Sequence, residues 1–212
     1  MMKRYSLVFC ALVVTYFCIA GATQAQVPVT LKLVSPGSNI SNNFYVGPYT
    51  LQVNGGGNIS AVCDDFATET TVNEVWKANA LSWAQVSQAE FYSTAGLTGY
   101  EAVASLTQKM NANLSDTELV ADIHFAIWAI FTPSAKNNAG FDADALQLYN
   151  AALAPTYNAS DFSFITIYDP APGYAAQEFM GTPEPASMML FGTGLLVIGA
   201  AIRRRPRRRA SV

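Results

Sequence analysis

The chain has 212 residues, 51% of them hydrophobic, with 15 acidic and 12 basic side chains and one histidine, enough for one domain of common size plus processing segments. Charge is unevenly spread: six of the basic residues are arginines at the C-terminal end, and between Gln26 and Thr182 four lysines face fourteen carboxylates, a formal charge of −10. So acidic a middle segment excludes nucleic acid and anionic lipid as partners, because both would be repelled.

Residues 1–25 have the three-part layout of a secretory signal peptide: Lys3 and Arg4, an apolar run from Leu7 to Ala20, then small residues around Thr23-Gln24-Ala25. The run is short for a membrane helix and the small-residue site follows it directly, so cleavage is expected near Gln26. Bulky Tyr16 and Phe17 before Cys18 exclude a lipoprotein signal. Cleavage removes Cys10 and Cys18 and leaves Cys63 as the lone cysteine of an exported chain, which excludes an intramolecular disulfide.

A strand-rich stretch follows. Val29 to Val34 alternates, Tyr49 to Val53 alternates again, and Asn54-Gly55-Gly56-Gly57 supplies residues that accept positive φ before Ile59 to Cys63, which together read as a hairpin. Asp64-Asp65 lacks the spaced oxygen ligands of a calcium loop and reads as a pair of solvated acids, so no metal site is expected. Thr70 to Asn79 continues in β-rich composition. Beyond Asn79 the residues are helix formers: Val103, Leu106 and Met110 fall at spacings of three and four within Tyr100 to Met110. Ser115-Asp116-Thr117-Glu118 reads as a capping box with Ser115 as the cap. The helix that follows carries Leu119, Val120, Ile123, Ala126, Ile127, Ile130 and Phe131 on one broad face and stops before Pro133. Asp142 is expected to cap a third helix reaching Leu153, with Leu146, Tyr149 and Leu153 on one side. Ser163 to Tyr168 alternates and returns the chain to sheet. The order of strands, helices and strand predicts an α+β domain over residues 26–173, a β-sandwich or small barrel with a helical insertion, followed by a linker at 174–182.

The C-terminal segment has its own logic. Ala186 to Ile202 is an uncharged run of seventeen residues; as a helix it would span about 25 Å, slightly under a ~30 Å hydrocarbon core, and flanking arginines can snorkel to close the gap. Arg203, Arg204, Arg205, Arg207, Arg208 and Arg209 follow at once, so the positive-inside rule keeps this end in the cytoplasm and places the acidic domain outside. No aromatic residue stands among them to stack on bases. Just ahead of the run, Pro183-Glu184-Pro185 cannot form helix or sheet and presents a rigid extended tripeptide at the membrane surface.

The proline-bracketed glutamate, the glycine-containing apolar helix and the arginine terminus, residues 183–209, resemble the PEP-CTERM sorting signal of Gram-negative bacteria. That resemblance implies recognition by an exosortase, a membrane-embedded cysteine transpeptidase, removal of the helix, and delivery to the surface or extracellular matrix, where exopolysaccharide or another matrix component is a possible partner. The tail is sometimes labelled an ice-binding protein C-terminal domain, but the middle segment has no Thr-x-Thr ladder of the kind an ice-matching face needs. A second likeness covers roughly Pro48 to Asp169. Val62-Cys63-Asp64-Asp65-Phe66, with His124-Phe125-Ala126-Ile127-Trp128 far downstream, resembles the thioester domains of bacterial surface adhesins, in which a cysteine joins a glutamine that opens a Gln-x-Ala-Ile-Trp motif. Cys63 stands at the cysteine position and His124 at the glutamine position, where an imidazole has no carboxamide to give; Gln108 and Gln177 are the glutamines left in principle. On chemistry alone Cys63 is expected to be a small buried hydrophobe and His124 a hydrogen-bonded structural residue, with a Cys63–His124 nucleophile and base as the sharper alternative. The expected function is that of a non-enzymatic surface or matrix module without cofactor; a covalent adhesin using Cys63 and a Cys-His hydrolase are the alternatives.

Overall fold

In β1 (Val27–Ser35) Val29, Leu31 and Leu33 are buried while Thr30 and Val34 are exposed, so alternation gives the strand one apolar face. The two edges of the strand carry the unpaired backbone N–H and C=O groups, and β1 pairs antiparallel with β4 (Pro48–Val53) and with β6 (Val75–Ser82). Between β1 and β4 the chain makes a small hairpin of β2 (Ile40–Ser41) and β3 (Phe44–Tyr45), turned by Asn42 and Asn43 at φ of 50° and 69°. β4 joins β5 (Asn58–Cys63) through Asn54 and Gly55, both at positive φ as a tight hairpin requires. The expected hairpin is therefore present. The strand expected over Thr70–Asn79 starts later, at Val75, because the Glu74 carboxylate accepts from both the backbone N–H and the hydroxyl of Thr71 and folds 71–74 into a turn.

The structure, a computed structural model, describes residues 26–182. The signal peptide expected at 1–25, the sorting tripeptide at 183–185 and the membrane helix expected at 186–202 lie outside the described residues. Among the described residues no helix is long and apolar enough to cross a membrane.

The helical insertion leaves β6 and returns at β7 (Thr166–Pro170). Its helices are α1 (Tyr92–Asn111), α2 (Thr117–Phe131) and α3 (Ala143–Leu153). The α2 cap is Asp116, not Ser115: the Asp116 side chain accepts from the Leu119 N–H at 3.1 Å, and a carboxylate suits the positive end of a helix better than a hydroxyl. α3 is capped by Asp142 as expected, but Leu146 is left exposed; the small Ala145 and Ala152 make the close contact instead, with Tyr149 and Leu153 packing beside them. β7 begins at Thr166 rather than Ser163, since Ser160 and Phe162 hold the preceding residues in a tight helical turn.

The largest difference is at 174–182. Instead of a linker, Ala176, Gln177 and Glu178 are buried, and β8 (Phe179–Gly181) inserts between β5 and β7. This strand closes the sheet into a barrel in the order β1-β4-β5-β8-β7-β6 and back to β1, all neighbours antiparallel. Closure removes the edges that an open sheet of six strands would expose. The α+β class and the helical insertion stand, with the barrel the architecture adopted.

Side-chain alternation then sorts the core. Leu31, Leu33, Leu51, Ala61, Cys63, Trp76 and Phe179 fill the barrel, while Val62, Leu81, Ile167 and Met180, one residue out of phase, face the helices and pack against Tyr100, Val103, Leu106, Ile123 and Ile127. A third cluster, around Phe125, Trp128 and Ala135, is covered by Phe44 and Phe66.

Candidate functional site

Cys63 is the last residue of β5 and His124 lies in the second turn of α2, 61 residues later. Both are fully buried. The structure brings them together through the backbone. The Gly47 N–H donates to His124 Nδ1 at 2.7 Å, which leaves the ring proton on Nε2, and Nε2 donates to the Cys63 carbonyl at 2.8 Å. The imidazole thus ties the β3–β4 connection and the end of β5 to α2. Gly47 is placed for this at φ of 108°, with Val120 Cγ1 only 3.1 Å from where a Cβ would stand. Burial holds the imidazole neutral, its pKa lowered to about 4. Its ring rests on Trp128, centroids 4.2 Å apart.

The Cys63 thiol faces the other way and donates to the Asp65 carbonyl at 3.2 Å. Burial pushes its pKa well above the ordinary range, and the carboxyls of Asp64 and Asp65 push it further; the Trp128 indole offsets a part of this. A thiol so placed is a weak nucleophile, and no imidazole nitrogen is free to take its proton. Cys63 is thus buried in the core with its thiol hydrogen-bonded, and both ring nitrogens of His124 are engaged with backbone groups.

Gln177 arrives from the segment before β8. Its Nε2 donates to the same Asp65 carbonyl at 3.1 Å, and its backbone N–H donates to Thr70 Oγ1 at 3.1 Å. Thiol and carboxamide thus converge on one oxygen. Beside them opens a cavity of about 420 Å³ walled by Phe44, Tyr45, Tyr49, Phe66, Trp128 and Gln177. Gln108 is far from this group and reaches toward the Asp161 carbonyl at 3.4 Å.

The acids next to Cys63 correct the expectation of solvated carboxylates: Asp64 and Asp65 are 0% and 1% exposed. Asp65 turns its side chain to its own loop, Oδ1 accepting from the N–H groups of Ala67 and Thr68 at 2.8 and 3.2 Å. Asp64 points out of the barrel toward the helices and meets Glu178, and burial raises both pKa values. Glu178, Tyr100, Asp169 and Glu90, which complete this acidic group, carried no motif in the sequence. The one available signal was the proline-free run from Gly173 to Thr182, long enough for a further strand.

At the far end of the domain, Asn111 Nδ2 donates to Thr182 Oγ1 at 3.0 Å, so α1 holds the residue that precedes the proline-bracketed tripeptide.

No curated protein matches the chain. Among solved structures, the N-terminal thioester domain of a Clostridium perfringens surface protein matches with a TM-score of 0.47 at 9% identity, over 74% of this chain and 99% of that one. The N-terminal thioester domain of the Streptococcus pyogenes fibronectin-binding protein SfbI matches with a TM-score of 0.40 at 12% identity, over 76% and 95%. The N-terminal domain of the S. pyogenes pilus tip adhesin Cpa matches with a TM-score of 0.40 at 11% identity, over 77% and 96%. At the C-terminal side, residues 182–205 match the family model of the PEP-CTERM protein-sorting motif, so the chain carries the signal of a surface-directed protein processed by an exosortase.

Proposed function

We propose that the chain is a non-enzymatic surface or extracellular-matrix module, exported by its N-terminal segment and held in the inner membrane, N-terminus out and C-terminus in, until an exosortase removes the tail. The sorting motif at 182–205 carries this reading. The barrel domain ends against it, and its most chemistry-bearing residues, Cys63 and His124, are engaged in holding the fold. The acidic surface favours a neutral or cationic matrix component over nucleic acid or anionic lipid. Co-expression with an exosortase is expected to shorten the wild-type chain and release it from the membrane fraction, and Pro183→Ala is expected to keep it full-length. A wild-type chain that keeps its tail beside an active exosortase overturns the reading.

A second reading rests on the convergence of Cys63 and Gln177 on the Asp65 carbonyl. In it a Cys63 Sγ–Gln177 Cδ bond forms, the Cδ–Nε2 bond breaks, and Nε2 leaves as ammonia with the thiol proton, giving an internal thioester that a primary amine entering the aromatic cavity could open. Intact-mass spectrometry of fresh protein would then show a deficit of about 17 Da, lost in Gln177→Glu. An unmodified mass rules this reading out and leaves the first untouched.

A further inference from the structure

Asp64 follows the last residue of β5 and Glu178 precedes the first of β8, and the Asp64 N–H donates to the Glu178 carbonyl at 3.4 Å, so the register sets the two side chains next to each other. Both are 0% exposed. Glu178 is well supplied: Oε1 accepts from the Tyr100 hydroxyl at 2.8 Å and Oε2 from the Glu90 N–H at 3.2 Å, which also donates to Asp169 Oδ1 at 2.9 Å. Asp64 is not. No N–H or O–H of another residue donates to either of its oxygens; the carboxyl meets only its own backbone amide and the carboxyl of Glu178. The charged groups acting on the pair are themselves acids: Asp65 and Glu90 on Asp64, Asp169 on Glu178. Two ionised carboxylates out of water, each able only to accept, can adjoin in a stable fold only with positive charge between them, either a proton or a metal cation.

We propose that the Asp64–Glu178 pair is a binding site for a hard divalent cation of the calcium class, with the Asp64 carboxylate as its principal ligand. Asp64 keeps both oxygens free for bidentate ligation, Glu178 retains lone pairs beside its two hydrogen bonds, and Asp169 stands against Glu178 to complete the set. Every donor is oxygen, which selects hard cations over zinc or copper. A cavity of about 500 Å³ opens at the edge of this group, lined by Glu90 and Asp169 with Pro170, Gly173 and Tyr174, while Asp64 and Glu178 lie behind it, fully buried. Bound there, a cation would join the ends of β5, β7 and β8 to the start of α1. An exported domain whose lone thiol excludes an internal disulfide would gain such a cross-link in a millimolar-calcium medium. A second acidic group, Asp122, Asp142 and Asp144, has ligand atoms within 4.8 Å of one another on the surface, but Asp142 is already spent on capping α3 and no buried orphan oxygen points into it. It serves as the control.

The test uses the full chain in detergent, stripped with chelator and melted at pH 7 with increasing calcium; it is independent of tail processing. Wild type is expected to gain about 5 °C at ten times the dissociation constant and to bind terbium with luminescence sensitised by the adjacent Tyr100. Asp64→Asn should lose both responses and, free of metal, melt above wild type, because it removes one of two repelling charges. Asp144→Asn should behave as wild type. Should Asp64→Asn fail to fold, Glu178→Gln is read in the same way. Two results overturn the site: a melting temperature indifferent to calcium, which leaves a shared proton as the charge that joins the pair, or a calcium response that survives Asp64→Asn and disappears in Asp144→Asn.

Discussion

His124 shows how far one side chain can be read before its neighbours are known. Its place on the edge of the apolar face of α2 made a hydrogen-bonded structural histidine the expectation, and both ring nitrogens are indeed consumed, by the Gly47 N–H and the Cys63 carbonyl. The partners themselves were not legible, since they are backbone groups 77 and 61 residues away, brought close only by the fold. The pairing has a pH consequence. Burial lowers the folded pKa to about 4, below the unfolded value of ~6.5, so the folded chain binds fewer protons between these limits. The stability from a neutral His124 is complete above pH 6.5 and is lost as pH falls toward 4, by about 3 kcal/mol in all. His124→Ala should cost about 2–5 kcal/mol at pH 7 through two orphaned backbone groups and a cavity beside Trp128. Denaturant melts should also show a shallower loss of stability between pH 6.5 and 4 than wild type; an unchanged pH slope would mean that His124 is not the titrating group. Asp64 and Glu178 act with the opposite sign, because their folded pKa values are raised: without a cation their cost is absent below about pH 4 and accumulates as pH rises.

Elements were legible in proportion to their periodicity. α2 presents a continuous apolar stripe and a proline stop, and its body lies where that pattern places it. The cap was read one residue early, as two neighbouring oxygen-bearing side chains compete for the same orphan amides and only the backbone angle decides between them; Asp116 is extended at φ −95°, ψ 90° and reaches the Leu119 N–H. Asp116→Ala should therefore destabilise the domain by about 1 kcal/mol and Ser115→Ala by only a few tenths, measured by urea titration. Equal losses would restore Ser115 as the cap. In α3, by contrast, Leu146 matched the expected stripe and is nevertheless exposed. A short helix packed through alanines approaches its neighbour closely, and the closeness selects Ala145 and Ala152 for the contact face. The three residues of β8 are too few to show a period of two, so nothing local distinguished them from a linker.

At the scale of the whole molecule β8 decides the architecture. Its Phe179 lies inside the barrel, fully buried against Tyr49 and Trp76, and Phe179→Ala should cost about 3–5 kcal/mol. Because the same strand leads straight to the sorting motif, loosening it should also expose the processing site, so proteolysis of the variant is expected to cut near residues 174–182 before the other five barrel strands; cleavage first in the helical insertion would place the weak point elsewhere. The chain sequence by itself determined the charge separation, the sorting motif and the α+β class, because each rests on composition, on a short contiguous motif or on a period repeated over many residues. Tertiary structure alone decided that the sheet closes, that His124 bonds backbone rather than the thiol, and that Asp64 meets Glu178, since each joins residues distant in sequence through backbone pairing, and no local pattern encodes which strand will lie next to which.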